Sequence, residues 1–333
     1  MALSARRLLV LGAVLAGLLA VAPHAGAATV SAFYYPWFGT PSADGDYEHW
    51  AQRGHVPPDD IAADFYPARG LYSSSSASVI DSQMRELAKA GVDEVVVSWW
   101  GRGTVEDRRL PAVIAAARKR KLTVAVHLEP YGGRTVEGTV ADALHLRQAH
   151  GVRVFYVFQP FDVAPAEWAA ANETLRARGL TVFAQTPLAG AASAGGFSGL
   201  YTYDVLVWGG DKFARICAQA RARKLLCAPS VGPGFDARRA TGETRVKPRR
   251  DGATYDSMWR AAVKARADLV TITSYNEWQE GTQVEAAAPA SRRGGLAYQG
   301  YDGAWGLQGA EARTAYLDRT AHWAQLFRRQ LRG

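Results

Sequence analysis

Apolar residues along the chain gather into short continuous runs, and longer stretches with helical spacing of apolar positions separate them. The runs lack strict polar alternation, which is typical of parallel strands that helices cover on both sides of the sheet. Strands are predicted at residues 30–35, 94–99, 122–128, 152–158, 180–185, 203–208, 225–229 and 269–274. Helices are predicted at residues 79–90, 110–120, 140–149, 166–178, 211–223, 254–266 and 310–328.

This alternation predicts the fold class. Eight predicted strands that alternate with seven predicted helices over about 300 residues indicate an α/β protein, a (β/α)8 TIM barrel. An open doubly wound sheet is the main alternative, but no G-x-G-x-x-G sequence follows the first predicted strand. The chain shows neither a repeat of fixed period nor a linker, so we expect one catalytic domain over residues 28–333.

The start of the chain has the pattern of a targeting segment. Arg6 and Arg7 precede an almost uninterrupted apolar stretch at residues 8–22, and Ala25-Gly26-Ala27 forms an A-x-A cleavage site. We therefore predict a signal peptide at residues 1–27, with an uncleaved anchor as the alternative. No second apolar run of membrane length follows, so the mature protein is expected to be secreted or extracytoplasmic and free of the membrane.

The net charge of +8 at neutral pH raises the question of a nucleic-acid partner. The densest basic runs, at residues 118–121, 221–224 and 328–329, each fall at the end of a predicted helix. Cations are favourable there because they interact with the helix dipole. No recognised nucleic-acid motif accompanies these runs, and we expect no nucleic-acid partner.

The possible metal ligands and the cysteines give little sign of a cofactor. Two cysteines cannot make a structural zinc site, and no H-E-x-x-H or similar spacing supports His49 or His127 as ligands. We therefore predict no metal. Export makes a disulfide between Cys217 and Cys227 chemically possible. These residues fall on a predicted helix and on the next strand, so their side chains need not face each other, and the pairing stays open.

Aromatic and acidic residues follow several of the predicted strands. In barrels of this class the chemistry lies at the carboxyl ends of the strands. Aromatic rings stack on the apolar faces of sugars and carboxylates handle protons, so this composition suggests carbohydrate chemistry. Each large aromatic taken alone is equally compatible with packing in the core. The residues concerned include Trp37, Glu48, His49, Trp99, Trp100, Glu129, Tyr131, Arg134, Tyr203, Trp208, Glu277 and Glu280.

Glu277 and Glu280 are the strongest catalytic candidates. They lie three residues apart directly after the last predicted strand, and neither has a cationic neighbour within four residues. Two carboxyl groups in a partly apolar cleft have separated pKa values, which gives one acid and one base. Glycoside cleavage needs that division of labour. A helix-capping role or a role in binding alone are the alternatives.

Six segments carry a more specific signal. They read YYPWFG at 34–39, DYEHW at 46–50, SWWG at 98–101, HLEPY at 127–131, VGPGF at 231–235 and SYNEWQEGTQVE at 274–285. These segments resemble glycoside hydrolase family 99, the endo-α-1,2-mannosidase and endo-α-1,2-mannanase family, and the last is the most specific. The sequence departs from the family pattern at Gln279, where His is usual, and at Ala286, where Pro is common.

The resemblance implies a (β/α)8 barrel and endo-acting cleavage of α-mannosides with retention of configuration. It implies attack by the sugar's own 2-hydroxyl through a 1,2-anhydro-sugar intermediate. Glu277 would be the base that removes the 2-hydroxyl proton, and Glu280 would protonate the leaving oxygen and then deprotonate water. No metal or organic cofactor is implied. The implied substrate-binding residues are Tyr35, His49, Trp99, Glu129, Tyr131, Arg134, Tyr203 and Asn276.

The expected partner is therefore an oligosaccharide or polysaccharide of the α-mannan type, bound by a monomer. Two other hypotheses stay open at this stage. One is a related barrel hydrolase that acts on another α-glycan, such as an α-glucan. The other is a carbohydrate-binding protein that has lost catalysis, although binding alone has little need for an acid–base pair.

Overall fold

Nine parallel strands within residues 28–330 form one sheet in the computed structural model, which describes that part of the chain. They are β1 (Thr29–Tyr34), β2 (Glu94–Trp99), β3 (Thr123–Leu128), β4 (Val154–Val157), β5 (Thr181–Gln185), β6 (Gly199–Tyr201), β7 (Leu226–Ala228), β8 (Ser230–Val231) and β9 (Leu269–Ile272). Their order in the sheet is β7-β6-β5-β4-β3-β2-β1-β9-β8.

The sheet closes on itself through the pair β7 and β8. Only Pro229 separates them, so they are two halves of one barrel strand. β7 pairs with β6, whereas β8 pairs with β9, and this arrangement joins the two ends of the sheet. The prediction of a (β/α)8 barrel is confirmed.

Helices cover the outside of the barrel. They are α1 (Pro41–Asp44), α2 (Ala77–Lys89), α3 (Val105–Lys119), α4 (Val136–His150), α5 (Glu167–Ala177), α6 (Ala189–Ala194), α7 (Phe213–Arg221), α8 (Ala253–Lys264), α9 (Gly309–Ala312) and α10 (Ala315–Gln330). Threonine side chains cap two of them: Thr104 accepts from the Asp107 amide at the start of α3, and Thr135 accepts from the Gly138 amide at the start of α4. These caps satisfy amides that have no partner within the helix.

The predicted strand at 203–208 is wrong, and the structure places β6 four residues earlier. Tyr203 has a φ of 50°, which ends the extended conformation. Asp204 then accepts hydrogen bonds from the amides of Leu206 and Val207 at 2.9 and 3.1 Å. A side chain that bonds the backbone two and three residues ahead forms a turn. The apolar run at 203–208 is therefore a loop at the mouth of the barrel.

A short antiparallel hairpin, β10 (Ser291–Arg293) and β11 (Leu296–Tyr298), follows the β9 loop and was not predicted either. The predicted signal peptide at residues 1–27 lies outside the described residues. No helix within residues 28–330 combines the length and the apolar character that crossing a membrane requires.

Aromatic rings fill the interior of the barrel. Phe33 lies 5.8 Å from Tyr156 and 5.7 Å from Tyr201 between ring centroids, and all three side chains are fully buried. His127 shares this layer and contacts the Tyr201 hydroxyl at 2.7 Å through Nε2. This packed layer supports the residues at the carboxyl ends of the strands.

Cys217 on α7 and Cys227 on β7 form a disulfide, with 5.2 Å between their Cα atoms. The sequence left this pairing open. The chain reverses after α7, so β7 runs back along the helix and the two buried sulfurs meet. Closing a loop of this size is expected to stabilise the fold by about 3 kcal/mol in the chain-entropy model.

Glu94 is a buried carboxyl group far from the carboxyl ends of the strands, since it begins β2. Its Oε1 accepts hydrogen bonds from Ser31 Oγ at 2.9 Å and from Tyr156 OH at 3.1 Å. Burial raises the pKa of Glu94 from 4.5 to about 7. Because the folded protein holds this proton more tightly than the unfolded chain, stability falls as the pH rises from about 4.5 to about 7.

We therefore expect Glu94→Gln to stabilise the protein above pH 7. The amide oxygen keeps both hydrogen bonds and carries no charge, so the gain approaches about 3 kcal/mol at pH 8 and is small at pH 5. Urea unfolding at the two pH values measures the difference. An equal gain at both values, or a loss at pH 8, would show that the charge of Glu94 does not limit stability.

Candidate active site

The segment after β9, residues 274–282, places Glu277 and Glu280 at the mouth of the barrel. Ser274 closes this segment, because its amide donates to Thr282 O at 2.9 Å and its Oγ accepts from the Glu277 amide at 2.8 Å. Gly281 ends the turn with a φ of 61°, where a side chain is strained, and an added Cβ would lie 3.2 Å from the Asp236 backbone. The loop is thus fixed at both ends.

Two tyrosines form a hydrogen-bonded chain to Glu277. Tyr203 OH donates to Glu277 Oε2 at 2.6 Å, and the hydroxyls of Tyr35 and Tyr203 are themselves hydrogen-bonded. Because Tyr203 gives its proton to the carboxylate, Tyr35 donates to Tyr203. The structure therefore brings together three of the residues proposed from sequence, from the ends of β1, β6 and β9.

The two carboxyl groups differ in their preferred protonation. Burial raises the pKa of Glu280, and the negative charge of Glu277 raises it further. Burial also raises the pKa of Glu277, but hydrogen bonds from Tyr203 and from Glu280 favour its ionised form. The protonated form is therefore favoured at Glu280 and the ionised form at Glu277.

Glu129 adds negative charge to the same region from the end of β3. Its Oε1 accepts from Ser98 Oγ at 2.8 Å. The same oxygen lies 2.9 Å from His127 Nδ1, but the ring nitrogen is not aimed at it, so the two atoms are in contact without a hydrogen bond. The Glu129 charge raises the pKa of Glu277 and Tyr35 and would also stabilise positive charge on a sugar ring.

His49 joins the site through an aromatic stack. Its ring lies parallel to Trp37 with 4.4 Å between centroids, and Trp37 lies 4.5 Å from Tyr35. Burial lowers the pKa of His49 to about 4, so the ring is neutral near pH 7. Nδ1 lies 2.9 Å from Gln52 Nε2, an amide donor. This contact assigns the ring proton to Nε2, which makes His49 a hydrogen-bond donor.

Gln279, at the position where the sequence departs from the family pattern, connects the two halves of the site. Its Nε2 donates to His49 O at 2.8 Å. Gln279 therefore holds the loop that carries His49 against the segment that carries the two acids.

The other residues proposed for substrate binding make structural contacts. Asn276 bonds the backbone of Tyr35 through both ends of its amide, at 2.8 and 3.0 Å. Trp99 is fully buried and donates from Nε1 to Asp107 at 2.8 Å. Tyr131 OH is bonded to Asp142. Arg134 donates to the carbonyls of Leu128, Phe158 and Gln159 at 2.7 to 2.9 Å.

Sequence reasoning missed two charged residues near the site. Arg109 on α3 holds the loop after β1, with Nη1 bonded to Pro36 O at 2.9 Å and Nη2 bonded to Asp44 and Glu48 at 2.8 and 2.7 Å. Asp204 contributes a negative charge that raises the pKa of Glu280. Arg109 resembles any helix-surface arginine in sequence, and Asp204 was placed inside the wrongly predicted strand.

Within residues 28–330, no group of three or more His, Cys, Asp and Glu residues is arranged to hold a metal ion. The sequence prediction that the protein needs no cofactor stays a prediction.

A parallel barrel that holds two unequal carboxyl groups at the carboxyl ends of its strands has the arrangement of a glycoside hydrolase. Comparison with known proteins agrees. The chain belongs to glycosyl hydrolase family 99, whose family model matches residues 27–329. The family resemblance and the prediction of a glycoside hydrolase are confirmed.

Named relatives and a solved structure support this assignment. The chain is 32% identical to a glycoprotein endo-α-1,2-mannosidase-like protein of Danio rerio, over 90% of this chain and 78% of that protein. It is 28% identical to the glycoprotein endo-α-1,2-mannosidase of Mus musculus, over 90% of this chain and 75% of that protein. The family 99 endo-α-mannosidase of Bacteroides thetaiotaomicron matches with a TM-score of 0.81 and 29% identity, over 91% of this chain and 98% of that one.

Proposed function

We propose that this protein is an endo-acting α-mannoside hydrolase that retains configuration at the anomeric carbon and cleaves α-1,2-linked mannan-type glycans. The pair Glu277 and Glu280 carries the proposal, because one member favours the ionised form and the other the protonated form. The names of the relatives, endo-α-1,2-mannosidase and endo-α-mannosidase, support the choice of linkage and sugar.

In the first step, the Glu277 carboxylate takes the proton of the mannose 2-hydroxyl. The freed oxygen attacks C1 of the same ring, and the bond from C1 to the leaving oxygen breaks. Glu280 gives its proton to that oxygen, so the step yields a 1,2-anhydro sugar, a shortened glycan, protonated Glu277 and ionised Glu280. A carboxylate is needed because the hydroxyl is a weak acid.

In the second step, the Glu280 carboxylate takes a proton from water, and the water oxygen attacks C1. The C1–O2 bond opens, and O2 recovers its proton from Glu277. Each step inverts C1, so the two together retain its configuration. Both carboxyl groups return to their starting protonation, which the unequal environments of the pair favour.

We propose two roles for the remaining predicted residues. Tyr35, His49, Glu129 and Tyr203 lie around the carboxyl pair and would contact the sugar that is cleaved. The other four hold the surrounding loops and would shape the subsites: Trp99, Tyr131, Arg134 and Asn276.

The proposal includes an exported protein with a signal peptide at residues 1–27 and a catalytic domain at 28–333 that acts as a monomer. The Cys217–Cys227 disulfide supports export, because such bonds persist in oxidising compartments. N-terminal sequencing of the exported protein tests the cleavage site, and light scattering tests the monomer.

Incubation of the mature protein with an α-1,2-branched mannan tests the function, because a mannose attached through an α-1,2 bond in a branch can keep the free 2-hydroxyl that the first step uses. We expect internal cleavage to oligosaccharides, and NMR taken during the reaction should show the α anomer of the new reducing end first. A β anomer first would contradict retention. Cleavage of an α-glucan but not of mannan would favour the related hydrolase, and sugar binding without any turnover would favour the binding protein.

The phenol chain gives a prediction about pH dependence. Tyr203→Phe removes the hydrogen bond that favours ionised Glu277, so the pKa of Glu277 rises and the acid limb of the kcat/KM profile moves to higher pH. Activity therefore falls more at pH 5 than at pH 7. Tyr201→Phe is the matched control, because its hydroxyl bonds His127 instead. If the acid limb of Tyr203→Phe did not move, the hydrogen bond from Tyr203 would not control the ionisation of Glu277.

A further inference from the structure

Arg249 lies behind the segment that carries the two acids, inside a cage of aromatic rings. Its guanidinium carbon is 4.5 Å from the ring centroid of Tyr316, 4.6 Å from that of Phe65 and 4.9 Å from that of Tyr301. These distances are typical of favourable cation–π contacts, which keep the cation in place without an acidic partner. The cage leaves one edge of the guanidinium to face the backbone of the site loop.

That edge bonds the residues directly after Glu280. Nη2 of Arg249 donates to Gly281 O at 2.9 Å and to Gln283 O at 2.7 Å. Tyr301 OH lies 2.8 Å from Glu285 O and 3.2 Å from Gln283 O, so the cage and the loop are held together a second time. A planar guanidinium suits two acceptors on neighbouring peptides, because its N–H directions are fixed.

The segment that ends in Arg249 also holds the peptide of Glu280. Phe235 and Lys247 pair through two backbone hydrogen bonds of 2.8 and 2.9 Å. The next amide, that of Asp236, donates to Glu280 O at 2.7 Å. The backbone of residues 280–283 is thus fixed from one side by the strand pair and by Arg249 together.

Glu277 depends on different contacts. Its amide is held by Ser274 Oγ, and its carboxylate by Tyr203 OH. The one hydrogen bond that its backbone receives from residues 280–283, from Thr282 Oγ1 to its carbonyl, is long at 3.4 Å. Loss of the Arg249 contacts would therefore displace Glu280 more than Glu277.

We propose that Arg249 is the positioning residue that aims Glu280 at the leaving oxygen. The inference rests on the proposed function, in which Glu280 is the general acid. Proton transfer to the leaving group requires a hydrogen-bond distance between the acid and that oxygen, so a small shift of the 280–283 backbone is costly. The shift has little effect on a leaving group that departs without a proton.

The test compares Arg249→Lys with Arg250→Lys, the same change one residue along at an exposed position. Lysine keeps the charge but cannot bond both carbonyls from a fixed plane. Two substrates are used: α-1,2-branched mannan, whose leaving group needs a proton, and an α-mannobiosyl fluoride with a free 2-hydroxyl on the ring that bears fluorine, whose leaving group does not. For Arg249→Lys we expect kcat on mannan to fall about tenfold or more while initial fluoride release stays within about twofold. KM is expected to change little, and Arg250→Lys should match the wild type on both substrates.

A second variant and a parallel control keep the outcomes separate. Phe65→Leu removes one ring of the cage and leaves Arg249 in place. It should also lower kcat on mannan more than it lowers initial fluoride release, by a smaller factor, even if Arg249→Lys fails to fold. We call this difference between the two substrates the split. Glu280→Gln is measured alongside. A split in Glu280→Gln, with equal losses or no loss on both substrates in the Arg249 and Phe65 variants, would overturn the positioning role alone. No split in Glu280→Gln would overturn the assignment of the acid, and the positioning role with it.

Discussion

Glu280→Gln is expected to lower the turnover of α-1,2-branched mannan about 10²- to 10⁴-fold, which is the usual contribution of a general acid. Glutamine has the shape of the protonated acid but has no proton to give. Initial fluoride release from α-mannobiosyl fluoride should stay close to the wild-type rate, because fluoride departs without protonation. Stopped-flow fluoride detection and reducing-sugar assays on mannan measure the two rates.

The matched control is Glu173→Gln, which makes the same change at an exposed position on α5 and should leave both rates unaltered. The burial of Glu280 and the charge of Glu277 raise the pKa of Glu280, so the alkaline limb of the mannan profile should also disappear in Glu280→Gln. Equal losses on mannan and on fluoride would contradict the role of Glu280 as acid.

Glu277→Gln is expected to lower both rates by about 10²- to 10⁴-fold, because the base is needed to form the attacking oxygen whatever the leaving group. The variant keeps the side-chain volume and can still accept the hydrogen bond from Tyr203. The contrast between the two glutamine variants on the fluoride separates the base from the acid.

Substrate binding gives the necessary check on folding. An oligosaccharide should bind Glu277→Gln with an affinity close to that of the wild type, as measured by calorimetry. If this variant still released fluoride at the wild-type rate, Glu277 would not be the base.

The barrel could be predicted from the sequence because its strands are buried on both sides. The run at 94–99 contains three consecutive valines and a tryptophan, and the structure keeps that strand as Glu94–Trp99. The run at 203–208 looks equally apolar, but the Asp204 turn and the positive φ of Tyr203 make it a loop. A local hydrogen bond from one side chain thus overrides the hydrophobic pattern, and the pattern carries no sign of it.

The carboxyl pair could be proposed from spacing, since Glu277 and Glu280 follow the last strand of the barrel directly. The difference between their environments could not be predicted from the sequence, because it depends on Tyr35, Tyr203 and Glu129, which come from other strands. Arg109 and Arg249 also escaped notice for this reason. An arginine that bonds backbone carbonyls looks the same in sequence as one that faces solvent, and only the tertiary fold separates them.

The disulfide is another feature that depends on tertiary packing and could not be predicted from the sequence. Ten residues separate Cys217 and Cys227, and a helix followed by a strand can place them on the same or on opposite sides. The packing of α7 against β7 decides the pairing.

The central claim is that Glu277 activates a hydroxyl of the substrate itself. The direct measurement is fluoride release by the wild-type protein from α-mannobiosyl fluoride and from its analogue that lacks the 2-hydroxyl on the ring bearing fluoride, each corrected for spontaneous release. The account predicts rapid release from the first compound and none above background from the second, although the second is chemically the more labile. Comparable enzymatic release from both compounds would contradict it.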